Sequence, residues 1–132
     1  MDYNRSGHVK YNLKVHIILV SKYKKPIFKN NLSDDIKQFI YDASKLYKYN
    51  IIEMETDIDH IHILLEYSPK HSISNIIKNL KQYSTYKMWK FHNLILSRHY
   101  WKQKILWSDG YFACSIGEVS ESIIKQYIKT QG

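Results

Sequence analysis

Cysteine is almost missing from this sequence: Cys114 stands alone among 132 residues, which excludes an internal disulfide and a zinc site built from several thiolates of one chain. Glycine and proline are scarce, at 4 and 2, so regular elements should dominate over loops. No Pro-, Ser- or Gly-rich stretch divides the chain, and residues 1–132 are expected to form a single domain around one core. Long apolar runs are absent and the N-terminus MDYNRSGHVK is polar. Neither a membrane span nor a secretory leader is therefore expected, which makes a cytoplasmic protein the default.

What is abundant is positive charge. Twenty Lys and Arg against 12 Asp and Glu give a net charge of +8 and a pI near 9.4, a field that attracts phosphate backbones. Most of the basic residues are Lys, which act on phosphates as point charges more than as base-reading forks. Aromatic residues reach 14%, with 12 Tyr and 3 Trp, and rings among basic residues suit single-stranded nucleic acid because bases stack on them. A merely soluble basic surface would have the same composition.

From Tyr11 to Leu19 apolar and polar residues alternate, the period of a strand with one buried face. The basic segment SKYKKPIFKN follows, with Pro26 stopping regular structure. Ser33, Asp34 and Asp35 read as a helix start, after which Ile36, Phe39, Ile40, Ala43, Leu46 and Tyr47 recur at helical spacing. The runs IIEMETD and HIHILLEY, two residues apart, predict a β-hairpin. Between Ser72 and His92 the apolar set Ile73, Ile76, Ile77, Leu80, Tyr83, Met88 and Trp89 predicts a second helix with lysines outside. One or two short strands are expected about a turn at Ser108 to Gly110, and a last helix over Val119 to Lys129. That order predicts an α+β fold of ferredoxin-like (split βαβ) type: an antiparallel sheet with helices on one face, plus a C-terminal helix that carries Tyr127.

Three constellations could carry chemistry. In His60-Ile61-His62 both imidazoles project to one face of a strand, because side chains two apart share a face. Ile61, Ile63 and Leu65 would take the helix-covered side and leave the histidines on the other, where a metal could bridge them. Two ordinary surface histidines, in a chain with 7, would give the same pattern. Tyr127 and Gln131 lie four residues apart and so stack on one helix face, although a helical Tyr at apolar spacing is commonly core. Lys22, Lys24 and Lys25 after the first strand, with Lys78 and Lys81 on the second helix, are candidates for DNA-backbone contacts near the open face, or are simply solvated. His16, by parity on the uncovered face of the first strand, could touch DNA, lie behind a metal ligand, or be an ordinary strand histidine.

Taken together, LKVHIILVSKYKKPIF, IIEMETDIDHIHILLE, LWSDGYFACSIGEVS and IKQYIKTQ resemble, in order and spacing, the single-tyrosine HUH transposases of compact bacterial and archaeal insertion sequences, the TnpA-type enzymes of the IS200-like group. The resemblance runs through nearly the whole chain. It implies cleavage and rejoining of single-stranded DNA at element ends, with Tyr127 as nucleophile forming a 5′-phosphotyrosine link, and with His60, His62 and Gln131 as ligands of Mg2+ or Mn2+. It also implies recognition of DNA hairpin ends by a homodimer, in which the tyrosine helix serves its own subunit or its partner's. A non-catalytic or domesticated hairpin-binding module of the same fold is the alternative, and a small phosphoesterase a third reading. Relatives often continue beyond the position of Gly132, and a helix end with nothing after it frays readily.

Overall fold

A computed structural model gives the fold and describes residues 4–6, 9–11, 13–116 and 118–130. Four strands, β3 (Leu13–Val20), β4 (Asn50–Asp57), β5 (His60–Tyr67) and β6 (Phe112–Ser115), form an antiparallel sheet in the order β4-β5-β3-β6. A separate ribbon of β1 (Asn4–Ser6) and β2 (Val9–Tyr11) precedes it. Helices α1 (Asn31–Tyr47) and α2 (Ile73–His99) provide the crossovers, and α3 (Glu118–Lys129) follows the last strand. This is the split βαβ arrangement that the order of the sequence patterns predicts.

The sheet separates two environments by parity. Val15, Ile17 and Leu19 of β3 and Ile61, Ile63 and Leu65 of β5 are fully buried and face α1 and α2; each such side chain contributes about 1.5–3 kcal/mol through burial. From α1 come Leu32, Ile36, Phe39, Ile40 and Ala43, and from α2 Ile76, Ile77, Leu80, Met88, Trp89 and Leu96. On the opposite face α3 lies across β4 and β5. There Leu64 and Ile128 are fully buried yet stand outside the main core, so α3 closes a smaller apolar contact of its own.

Several boundaries differ from the sequence expectation. The first long strand starts at Leu13 and runs to Val20, because Tyr11 belongs to the N-terminal ribbon. Helix α1 starts at Asn31, and Ser33 is not its cap: the Ser33 hydroxyl meets the Thr56 hydroxyl of β4 and ties helix to sheet. Ser72 does cap α2, accepting the Asn75 N–H at 3.2 Å. That helix does not end at His92 but kinks there, at φ −131° and ψ 35°, and continues to His99. His92 Nε2 meets the Asp35 carboxylate at 2.6 Å, which anchors the kink to α1.

Candidate active site

The β-hairpin of β4 and β5 turns through Ile58 and Asp59, and β5 then presents His60 and His62 on the face away from α1 and α2. Cross-strand partners share a face: Asp57 lies opposite His60, Glu55 and Ile18 flank His62, and Glu53 and His16 flank Leu64. The face therefore carries imidazoles from two strands, with Glu53 and Asp57 of a third beside them, while the Glu55 carboxylate turns to Lys37 of α1 at 2.9 Å.

The imidazoles are not loose surface groups. His62 is 1% exposed and His16 4%. Their rings lie nearly parallel, at 11°, with His16 Nε2 and His62 Nδ1 3.2 Å apart. His60 stands edge-to-face to His62 with centroids 4.9 Å apart, and its Nδ1 is 2.7 Å from Asp59 Oδ1. Burial pushes the His62 pKa down to about 4, helped by His60 and His16 and opposed by Asp57; burial lowers that of His16 too. Both rings are consequently neutral at pH 7, the state in which imidazole can ligate a metal.

Helix α3 brings Tyr127 to the same place. Its ring meets His62 edge-to-face, with centroids 5.4 Å apart and planes at 82°, and it remains 48% exposed. The phenol is thus on the histidine face of its own chain, outside the core. Gln131 lies outside the described residues. Among the described residues, no group of three His, Cys, Asp or Glu side chains is disposed to hold a metal.

The donor set nevertheless fits a divalent ion that takes two imidazoles and a further ligand. His62 Nε2 is a buried nitrogen with no hydrogen-bond partner, a state that costs about 1–3 kcal/mol unless something binds there. The Asp59 carboxylate on His60 Nδ1 orients that ring as carboxylates commonly orient ligating histidines. Sequence reasoning missed Asp59, although its place directly before His60 was a usable signal. It also missed Asp57, which lies opposite His60 and which the alternation along IIEMETD could have suggested.

The lysines divide. Lys22, Lys24 and Lys25 follow β3 at the end of the sheet that carries His60, where Ser21 N–H donates to Asp59 O at 2.9 Å. Lys22 pairs with Asp109 at 3.3 Å, while Lys24 is exposed. Lys78 and Lys81 are not near the open face, because α2 covers the other side of the sheet. Lys81 Nζ instead donates to the carbonyl oxygens of Ser108, Asp109 and Gly110 at 2.9, 3.3 and 3.1 Å, which latches the loop before β6. His16 is on the predicted face, but its burial and its bond to His62 turn it to the imidazole pair and away from a DNA surface.

Comparison with known proteins identifies the family and the fold. Residues 9–131 match the family model described as "Transposase IS200 like". The ISDra2 transposase TnpA of Deinococcus radiodurans is 28% identical over 129 residues, covering 95% of this chain and 87% of that one. The transposase for insertion sequence element IS200 of Salmonella typhimurium is 28% identical over 131 residues, covering 98% and 84%. A crystal structure of a Deinococcus radiodurans protein assigned as a transposase superposes with a TM-score of 0.77 at 27% identity, over 97% of this chain and 96% of that one. A REP-associated tyrosine transposase bound to a REP hairpin shares the fold, with a TM-score of 0.64 at 12% identity, over 94% and 70%.

Proposed function

Given that the chain belongs to the IS200-like transposase family, we propose that it cleaves and rejoins single-stranded DNA at the ends of an insertion sequence, with Tyr127 as the nucleophile. The observation that carries this reading is the contact between Tyr127 and His62, 5.4 Å between ring centroids, on a face where the phenol stays accessible. A core tyrosine would be buried, and one unconnected with the site would have no reason to meet the imidazole pair.

In this reading Tyr127 Oη attacks the scissile phosphorus. A bond forms between them, the bond to the 3′ oxygen breaks, and the products are a 5′-phosphotyrosine and a free 3′ hydroxyl. The phenol's proton is lost to solvent and the departing oxygen gains one, so no net proton is consumed. Because the phosphodiester is exchanged for a phosphotyrosine bond, rejoining needs no nucleotide: a 3′ hydroxyl attacks the same phosphorus and Tyr127 departs.

His60, His62 and Gln131 would hold Mg2+ or Mn2+, with His62 offering Nε2 and His60 held by Asp59. Such an ion, when bound, draws charge from a phosphate oxygen and orients it. The chain's own residues supply the rest: the imidazole pair fixes the position of the reacting group, α3 delivers the phenol, and the exposed Lys24 with the half-buried Lys25 attracts the strand. DNA hairpin ends are the proposed substrate, in keeping with the REP hairpin bound by the protein of similar fold. A homodimer is part of the proposal, and sedimentation of the protein with and without hairpin DNA tests it.

The decisive experiment incubates the protein with a labelled single-stranded element end and Mn2+. A covalent adduct is expected that Tyr127→Phe cannot form. Hairpin binding without any adduct from the wild-type protein would favour a non-catalytic binding module instead.

A further inference from the structure

His62 has two ring nitrogens with different fates. Nδ1 lies 3.2 Å from His16 Nε2, and Nε2 is buried without a partner. Two neutral imidazoles can share one hydrogen in only two ways. If His62 donates from Nδ1, its Nε2 carries a bare lone pair. If His16 donates from Nε2, the second nitrogen of His62 must carry the proton, and a buried N–H is stranded where no acceptor stands.

We propose that His16 is a positioning residue: by accepting the Nδ1–H of His62 it selects the tautomer whose Nε2 keeps a bare lone pair, the form that can bind an ion. The inference rests on the metal-site reading above and adds to it a residue that touches neither ion nor DNA. Three observations support it. His16 and His62 face each other across adjacent strands, where His16 is in register with Leu64 and His62 with Ile18. Both rings are buried, at 4% and 1% exposed, so water does not compete for the bond. Phe112 of β6 stands edge-on to His16 with centroids 5.8 Å apart, which steadies that ring from the side opposite β5. The two candidate ligands are thus oriented by different chemistry, His60 by the carboxylate of Asp59 and His62 by a neutral imidazole. Such supporting partners typically govern metal affinity by about 10- to 100-fold.

Two measurements test this. In the wild-type protein without metal, long-range proton–nitrogen NMR correlations should find His62 protonated at Nδ1 and bare at Nε2; a His62 protonated at Nε2 would overturn the proposal. Mn2+ binding by calorimetry, on variants whose folding is checked by circular dichroism, should weaken about tenfold or more in His16→Leu. It should recover in His16→Gln, whose carboxamide oxygen can accept where Nε2 did. Unchanged affinity in His16→Leu, or equal losses in both variants, overturns the assignment. His60→Ala separates the two readings. If it leaves Mn2+ affinity untouched, the metal site itself is wrong and His16's role falls with it; if it abolishes binding while His16→Leu does not, only the role of His16 fails.

Discussion

Lys129 of α3 reaches Glu53 of β4, Nζ to carboxylate oxygen at 3.7 Å, so the helix carrying Tyr127 is tied to the sheet of its own chain. The pair is partly exposed and stabilises little, within about 0–1 kcal/mol. Ile128, the neighbour of Tyr127, is fully buried and contributes more than that pair, about 1.5–3 kcal/mol.

Ile128→Ala should therefore undock α3 at a cost of about 2–5 kcal/mol, whereas Glu53→Gln should barely loosen it. Hydrogen exchange along α3 and adduct yield measure the two effects. A wild-type adduct yield in Ile128→Ala would show that this contact does not deliver the phenol.

His60→Ala should weaken Mn2+ binding and adduct formation while leaving DNA hairpin affinity within about twofold, since lysines supply most of the phosphate attraction. Asp59→Asn should be milder, because it removes only the group that orients His60. Parallel titrations with Mn2+ and with hairpin DNA would reveal the split, and a comparable loss in both would place His60 at the DNA surface.

Replacing Lys24 and Lys25 together should flatten the dependence of DNA affinity on salt by about 1–2 units of log–log slope. Lys78→Ala should leave it unchanged, because Lys78 stands on the layer opposite the imidazoles. The reverse pattern would put the DNA on the helix face.

Lys81→Met keeps the aliphatic stem but removes the donor to three carbonyls. Burial lowers the Lys81 pKa although Asp109 opposes it, and because two of the three bonds are exposed the loss should cost only about 0.5–1.5 kcal/mol in a urea titration. The salt dependence of DNA binding should not move.

Metal-free stability should fall in acid. His62 titrates near 4 in the folded chain and near about 6.5 when unfolded, so between those values the unfolded state binds more protons and stability drops as the pH falls. The contribution is complete above about pH 6.5 and lost towards pH 4, at most about 3 kcal/mol; His16 acts in the same direction. Thermal melts from pH 7 to 4 should be flatter in His62→Asn, and an equally steep variant would count against the buried neutral ring.

The parity of His60 and His62 and the order of the core strands and helices were legible because they depend on periods of two and 3.6, which a sequence displays directly. What was not legible needed neighbours. The bond from His16 to His62 spans 46 positions and requires knowing that β3 lies beside β5. The partners of Lys81 sit 27 to 29 residues away, so its charge read as solvated. The second segment of α2 was hidden because Leu94, Ile95 and Leu96 are consecutive and so show no helical period after His92, although only Leu96 of the three is buried. Ser33 misled because its hydroxyl serves Thr56 across the layer instead of a helix end.

The register of β4 slips once against β5: Ile51 pairs with Leu65, but Glu53, not Ile52, pairs with Leu64. That single supernumerary residue works as a phase shifter. Downstream of it Met54 and Thr56 drop toward the helices while Glu53 and Asp57 come to the imidazole side and Glu55, on the outer strand, sends its carboxylate to Lys37 of α1; remove one residue there and the alternation of the whole segment would invert. The irregularity at the sheet's outer strand is thus what lets one short segment line the hydrophobic interior with Met54 and Thr56 and still offer Glu53 to Lys129 of α3 and Glu55 to Lys37 of α1, so that a single strand holds a helix on each side.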